Sequence, residues 1–278
     1  EQLMREAVSG RYLLDVKRSG KYKARGVKHG FKEDKATADG VGFDYYSHVV
    51  KFYTIRISFF RPNRGSREVA FLDESTAFLQ SDDFPVELVK ALVMWNPISR
   101  VRELFRQSGP LYGENSAPRR WEDTYAPYLE SEGFERSPNE PSIFYDPDDD
   151  ILDLTYVDDN YLDAEPEGIQ RIHRVISSRF DCKELEVLPT NGDPVDYLGM
   201  LMSMSHEEDR TYLDMSKYIE QSLEILEWTH LKPASRPIEK QINPEGTSPL
   251  LSKQDKVKFH SGLGMLGWLS MTARPDIS

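Results

Sequence analysis

The stretch LTYVDDNYL, residues 154–162, places two aspartates side by side at the end of an apolar run. Neighbouring carboxylates repel each other, and burying them costs several kcal/mol unless a cation lies between them. A strand that ends in a tight turn would project both carboxylates from the edge of a sheet. The stretch therefore indicates a site for a hard cation such as Mg²⁺, with an ordinary strand end as the alternative.

A second apolar run, REVAFLD at residues 67–73, also ends in an aspartate, Asp73. It lies far from Asp158 and Asp159 in the chain, so only the fold can bring the three carboxylates together. On adjacent strands they would suit two Mg²⁺ ions, or Mn²⁺ as a substitute, about 3.5–4 Å apart. Two metals at that spacing activate a 3′-hydroxyl and stabilise a leaving pyrophosphate.

The composition limits the classes of function. The chain has 278 residues, of which 38% are hydrophobic and 29% charged, as in a folded protein with a sizeable core. Its net charge of −12 argues against a general affinity for nucleic acid unless basic residues line one channel. The single cysteine, Cys182, excludes an internal disulfide framework and favours a reducing compartment. No apolar stretch reaches the roughly 18 residues of a membrane span, so we expect no membrane partner.

Basic residues are concentrated in VKRSGKYKARGVKHGFK, residues 16–32, which contains no acid. A solvated surface hairpin is the simplest interpretation of this segment, and a phosphate-binding surface is the alternative. The basic residues are Lys17, Arg18, Lys21, Lys23, Arg25, Lys28 and Lys32.

Hydrophobic periodicity and turn residues predict an α+β protein. Residues 48–60 stay open between a helix and a strand. Ser116 is the expected N-cap of the first long helix and Gly133 its expected end. The other predicted elements are a hairpin at 11–17 and 21–28, a strand at 67–73, a hairpin at 142–146 and 151–157, a helix at 166–180, a strand pair at 195–204 and 210–215, and helices at 216–230 and 252–272.

Nine segments resemble, in the same order, the reverse transcriptase region of copia-type LTR retrotransposon polyproteins. YKARGVKHGFK resembles YKARLVAKGF, LDESTAFLQ resembles MDVKTAFLNG, LYGENSAPRRW resembles LYGLKQAPRAW, and YVDD matches outright. The remaining five are FDYYSHVVKFYTIR, GFERSPNEPSIF, DYLGM, MSKYIEQSL and ARPDIS. Together they are far more specific than any one of them.

The resemblance implies a right-hand polymerase fold with fingers, palm and the start of a thumb, its antiparallel palm sheet packed on helices. The implied divisions are 1–60 and 84–130 as fingers, 61–83 and 131–205 as palm with the YVDD hairpin, and 206–278 as thumb and the truncated start of a connection.

The same resemblance implies the residues of a catalytic site. Asp73, Asp158 and Asp159 would hold two Mg²⁺ ions, with the main-chain carbonyl of Glu74 as a further ligand. Other implied roles are triphosphate contact for Lys23 and Arg25, exclusion of a 2′-hydroxyl by the ring of Phe78, and a primer grip at Leu198, Gly199 and Met200.

The chain departs from the pattern at several positions. Ser116 stands where the family has a Gln that touches the incoming nucleotide, and Ser is too short to reach it in the same way. Further departures are Gly26, His48, Glu114, Asn115 and Glu140, and the segment 81–110 matches poorly. Such changes are typical of a degenerating copy of an element, so a non-catalytic remnant is the alternative to an active enzyme. An acidic domain that binds neither metal nor nucleic acid is a third.

The activity implied by the resemblance is RNA-directed DNA polymerisation. The expected partners are a primed RNA or DNA template, dNTPs, and the RNase H and integrase regions of the same polyprotein, of which this chain would be a piece. The expected location is the cytoplasm, within virus-like particles, or the nucleus.

Overall fold

The computed structural model describes residues 7–16, 20, 22–32, 44–61, 66–85, 89–205, 210–232 and 250–277. They belong to two units. The first comprises Glu1–Lys51 and Arg61–Val187, and the second comprises Phe52–Phe60 and Leu188–Ser278. The implied fingers, palm and thumb are a finer division that these units do not test, and it stays a prediction.

The first unit contains ten described strands and two long helices. In chain order they are β1 (Val8–Val16), β2 (Tyr22–Lys28), β3 (Glu68–Asp73), β4 (Lys90–Asn96), β5 (Val101–Gln107), α2 (Ala117–Ser131), β6 (Glu135–Arg136), β7 (Ile143–Asp146), β8 (Ile151–Tyr156), β9 (Asp159–Ala164), α3 (Pro166–Arg179) and β10 (Glu186–Val187). Helix α1 belongs to the second unit.

A six-stranded antiparallel sheet forms the centre of this unit, in the order β10-β3-β9-β8-β7-β6. Strands β3 and β9 are buried almost throughout, as expected of central strands. Helix α2 contributes Trp121, Tyr125 and Leu129 to the core against the sheet, and α3 contributes residues at the predicted helical spacing, namely Ile169, Ile172 and Ile176. The α+β class and the antiparallel sheet on helices agree with the sequence-based prediction.

A four-stranded sheet, in the order β2-β1-β4-β5, completes the first unit. The predicted hairpin is present as the antiparallel pair β1–β2, while its turn lies mostly outside the described residues. Strands β4 and β5 occupy the segment 81–110, for which the sequence predicted no element. Strand β4 pairs with β1 in parallel, a long-range arrangement that no local pattern encodes.

The second unit contains α1 (Phe52–Ser58), β11 (Val195–Tyr197), β12 (Met200–Ser205), β13 (Arg210–Asp214), α4 (Ser216–Ile225) and α5 (Lys253–Met271). Phe52 packs edge-on against Trp268 of α5, with 5.0 Å between ring centroids. Arg56 donates to the main-chain oxygen of Thr272 at 2.9 Å. None of the described helices is long and apolar enough to cross a membrane.

Several predicted bounds in this unit need correction. Of the segment 48–60, which the sequence left open between a helix and a strand, residues Phe52–Ser58 form helix α1. The single strand predicted at 195–204 is two antiparallel strands, because Leu198 and Gly199 both adopt positive φ angles, 53° and 79°, and reverse the chain. Helix α4 ends at Ile225 rather than at 230. Helix α5 begins with a side-chain cap: Asp255 donates its main-chain N–H to Ser252 Oγ at 3.1 Å.

Candidate active site

The fold brings the three predicted aspartates to one end of the central sheet. Strand β3 pairs with β9 so that Asp73 lies directly opposite Asp159. Asp158 lies in the turn between β8 and β9, where Val157 adopts a φ of 63°. The main-chain N–H of Glu74 donates to the main-chain oxygen of Asp158 at 2.8 Å. The strand ends are therefore tied together by the backbone.

Charge repulsion is evident within this cluster. Burial, followed by the nearby charges of Asp158 and Asp73, raises the pKa of Asp159 to about 6. Burial and the charge of Asp73 also raise the pKa of Asp158. The ammonium group of Lys183 forms an ion pair with the carboxylate of Asp73, and its main-chain N–H donates to the Asp73 oxygen at 2.9 Å. The cluster is thus partly neutralised by one lysine.

Hard oxygen donors of this kind suit Mg²⁺ or Mn²⁺. Within the described ranges, however, no three His, Cys, Asp or Glu side chains already form a group with the spacing of a metal site. Burial and mutual repulsion raise the pKa values of Asp158 and Asp159, and a divalent cation beside them would favour the ionised carboxylates. The donor set fits such an ion.

A buried polar network lies behind the aspartates, and the sequence did not reveal it. The Asn160 side chain donates to Glu74 Oε1 at 2.5 Å and to the Tyr125 hydroxyl at 3.0 Å, and that hydroxyl donates to Asp153 Oδ2 at 3.3 Å. Burial raises the pKa of Glu74 well above its usual range and that of Asp153 to about 7. Two acids within the core therefore hold their protons to unusually high pH.

This network predicts a pH dependence of stability. Between about pH 4 and pH 7 the folded chain keeps a proton on Asp153 that the unfolded chain releases, so the free energy of unfolding falls as the pH rises. Between pH 5 and pH 8, the free energy of unfolding should fall by roughly 2–3 kcal/mol less in Asp153→Asn than in wild type. Urea denaturation at both pH values measures it, with the exposed Asp148→Asn as control. Equal slopes in wild type and Asp153→Asn would contradict the assignment.

Arg25, one of the two predicted triphosphate contacts, lies close to the aspartates. Its guanidinium carbon is 5.5 Å from the centroid of the Tyr112 ring, and its charge lowers the pKa of Asp158 against the effect of burial. Lys23 lies two residues earlier on β2, opposite Asp15 of β1. The structure thus brings Arg25 towards the carboxylates, and the role of Lys23 stays a prediction.

Phe78 lies in a short 3₁₀ turn, Ala77–Gln80, separated by three residues from the end of β3 at Asp73. It is partly buried against the core, and its ring centroid is 5.3 Å from that of Tyr112. Thr76, just before this turn, adopts a left-handed φ of 58°. The position is compatible with the implied contact to a sugar ring, which stays a prediction.

Sequence reasoning missed Tyr112, which contacts both Phe78 and Arg25. Burial and the charges of Asp158 and Asp73 raise the pKa of its hydroxyl, which places it near the carboxylates. Its main-chain oxygen accepts from the N–H of Lys28 at 2.7 Å. The following residue, Gly113, has a φ of 82°, and a Cβ there would lie 2.2 Å from the Lys28 oxygen. This tight loop fixes the tyrosine ring against β2.

Ser116 occupies the predicted N-cap position of α2 but lacks the expected capping bond. Its side chain is fully buried, and its Oγ has no hydrogen-bond partner among the described residues. The expected capping bond at the start of α2 is absent, because Ser116 has a helical backbone and its Oγ makes no bond to the first turn. A nucleotide contact through Ser116 is untested, and burial of the side chain offers it no support.

Glu114 and Asn115, two of the departures from the family pattern, have structural partners near Tyr112. Glu114 Oε1 is 3.0 Å from Lys28 Nζ, and both side chains are fully buried. Gln107 also donates to Glu114 Oε2 at 2.6 Å. Asn115 donates to the main-chain oxygen of Gly30 at 2.9 Å. These residues are integrated into the structure around Tyr112.

The implied primer grip, Leu198, Gly199 and Met200, lies in the second unit at the turn between β11 and β12. Met200 is buried, Leu198 is half-buried and Gly199 is exposed. The role of this turn stays a prediction.

The family described as reverse transcriptase (RNA-dependent DNA polymerase) matches residues 5–240, most of the chain. The chain belongs to this family. The sequence-based assignment to the reverse transcriptase region of copia-type retrotransposon polyproteins is thereby confirmed, and the family is one of RNA-directed DNA polymerases.

Curated relatives carry names of the same kind. The chain is 28% identical over 289 residues to the Retrovirus-related Pol polyprotein from transposon TNT 1-94 of Nicotiana tabacum, covering 96% of this chain and 21% of that protein. It is also 28% identical to the polyprotein from transposon RE1 of Arabidopsis thaliana, covering 93% and 17%. A putative transposon Ty5-1 protein of Saccharomyces cerevisiae is 28% identical, covering 74% and 66%. The chain spans about a fifth of the length of the two plant polyproteins.

Among solved structures, a telomerase from Candida albicans in complex with a fragment of telomeric RNA matches 77% of this chain and 46% of that chain, at 8% identity and a TM-score of 0.46. An apo telomerase from Candida tropicalis matches 74% and 55%, at 10% identity and a TM-score of 0.40. Similarity at this level supports no conclusion.

Proposed function

We propose that this chain is the polymerase module of a retrotransposon polyprotein and transfers nucleotides from dNTPs to a primer 3′-hydroxyl by a two-metal reaction. The observation that carries the proposal is the pairing of Asp73 with Asp159, next to Asp158, at one end of the central sheet. Membership of the reverse transcriptase family supports it.

Asp73 and Asp158 would hold both divalent ions, with Asp159 and the Glu74 carbonyl as further ligands. When bound, the ions lower the pKa of the primer hydroxyl and neutralise charge on the phosphates. Arg25 would bind the triphosphate, because its positive charge already acts on the Asp158 carboxylate, and Lys23 would add charge. Lys183 forms an ion pair with the Asp73 carboxylate.

The proposed partners are a primed RNA or DNA template, dNTPs, and RNase H and integrase regions of the same polyprotein. The resemblance to copia-type polyproteins suggests these partners, and the polyprotein relatives are much longer than this chain. The proposed location is the cytoplasm, within virus-like particles, or the nucleus.

The proposal is tested by primer extension on an RNA template with Mg²⁺ or Mn²⁺. Wild-type chain should incorporate dNTPs, and omission of both ions should stop incorporation. Folded chain that extends with neither ion would favour the non-catalytic remnant, and folded chain that also binds no primer-template would favour the acidic domain.

Tyr112 provides a further prediction for the same assay. Tyr112→Leu removes the ring that contacts Arg25 and Phe78, and should raise the KM for dNTP about fivefold, as expected for loss of a cation–π contact. Tyr112→Phe keeps the ring and should leave the KM within about twofold of wild type. If Phe impairs dNTP use as much as Leu does, the hydroxyl rather than the ring is the important group.

A further inference from the structure

Two buried residues sit immediately next to the aspartates in sequence but on the other face of the sheet. Glu74 follows Asp73, and Asn160 follows Asp159, so alternation along a strand directs their side chains away from the carboxylates. Both are fully buried. They face the helix-covered side, where Tyr125 of α2 contacts Asn160.

A direct hydrogen bond joins these two residues across the strands. Asn160 Nδ2 donates to Glu74 Oε1 at 2.5 Å. The main-chain N–H of Glu74 donates to Asp158 at 2.8 Å, so one residue is bonded to both sides of the aspartate turn. The side-chain hydrogen bond therefore joins the end of β3 to the start of β9 on the face of the sheet opposite the aspartates.

Stability alone does not account for this pair. Glu74 Oε2 is buried with no hydrogen-bond partner among the described residues, which costs free energy. The motif MDVKTAFLNG, which this segment resembles, has an apolar Val at the position of Glu74. A buried polar pair that costs stability is retained in well-attested cases because it fixes register.

Register is critical at this sheet end. A slip of one residue between β3 and β9 would move Asp73 to the opposite face from Asp159. We propose that Glu74 and Asn160 are positioning residues, whose hydrogen bond holds the carboxylates of Asp73, Asp158 and Asp159 in the arrangement that binds a divalent cation. This inference rests on the proposed function and concerns the side chains of Glu74 and Asn160, which act through the aspartates without touching the substrate.

Direct binding of Mn²⁺, measured from the free-ion signal in electron paramagnetic resonance, tests the inference without catalysis. Glu74→Val and Asn160→Leu should each weaken Mn²⁺ binding about tenfold, because the strand ends lose their fixed register. Glu74→Gln can still accept from Asn160 and should bind Mn²⁺ within about twofold of wild type.

The double variant Glu74→Val/Asn160→Leu separates positioning from folding. It replaces the polar pair by apolar residues, so its melting temperature should equal or exceed that of wild type, while Mn²⁺ binding stays about tenfold weaker, no worse than in either single variant. Wild-type Mn²⁺ affinity in the double variant, or a loss in Glu74→Gln equal to that in Glu74→Val, would overturn the inference.

The outcome is distinguishable from failure of the proposed function. Wild-type chain that binds Mn²⁺ but extends no primer would contradict the polymerase proposal and leave the comparison of variants valid. Wild-type chain that extends a primer, while all variants bind Mn²⁺ equally, would overturn only the positioning role. If wild-type chain binds no Mn²⁺, the positioning role is overturned whatever the result of the primer-extension assay.

Discussion

Asp158→Asn is expected to reduce primer extension by about a thousandfold or more while leaving the fold intact. Asn keeps the shape of the side chain but removes the charge that would hold a divalent cation. Burial and the charge of Asp73 raise the pKa of Asp158, so the folded state disfavours its ionised form at neutral pH. Removing the charge should therefore leave the melting temperature unchanged or raise it.

Asp158→Asn should lower activity while keeping or raising the melting temperature, and this combination distinguishes the loss of a metal ligand from misfolding. A general folding defect would lower both quantities. The matched control is Asp148→Asn, the same substitution at an exposed aspartate in the turn between β7 and β8, at the other end of β8 from Asp158. It should extend primers at the wild-type rate. Comparable extension by Asp158→Asn and wild type, each measured with Mg²⁺ and with Mn²⁺, would remove the aspartate cluster from the proposed mechanism.

Local patterns explain which parts of the fold could be predicted from sequence. The hairpin of β7 and β8, the core face of α3 and the strand that ends at Asp73 depend on alternation, helical spacing and turn residues within short segments. The meeting of Asp73 with Asp159 needed the family resemblance, because no single sequence records which strands pair. The parallel pairing of β1 with β4 had no local signal and was missed.

Buried polar partners were beyond prediction for the same reason. Lys28 and Glu114 are far apart in sequence, and each was visible only as an isolated charge or as a departure from the family pattern. The segments they occupy resemble YKARLVAKGF and LYGLKQAPRAW, which have Ala and Leu at these two positions. In the structure the two changes compensate each other. Matched changes of this kind favour a chain that retains a specific fold over one that has accumulated unrelated substitutions.

The largest effect on stability is expected from Glu114→Ala. The carboxylate of Glu114 lies 3.0 Å from Lys28 Nζ and 3.6 Å from Lys90 Nζ, and it accepts hydrogen bonds from Gln107 and from the main-chain N–H of Leu111. Removing it leaves the ammonium group of Lys28 buried without its carboxylate. Breaking a buried ion pair from one side costs about 3–5 kcal/mol, which corresponds to a fall in melting temperature of roughly 10 °C.

The double variant Lys28→Met/Glu114→Leu should recover most of this loss, because it removes both charges and fills the site with apolar side chains. Recovery would show that the cost in Glu114→Ala comes from the isolated charge rather than from lost packing. Glu130→Ala, at an exposed position of α2, is the control and should change stability by less than about 0.5 kcal/mol. Urea denaturation of the four proteins measures each value, and a double variant as unstable as Glu114→Ala would contradict the compensation.

Because the same loop carries Tyr112, Glu114→Ala should also raise the KM for dNTP at temperatures where the chain is still folded, and the double variant should restore it.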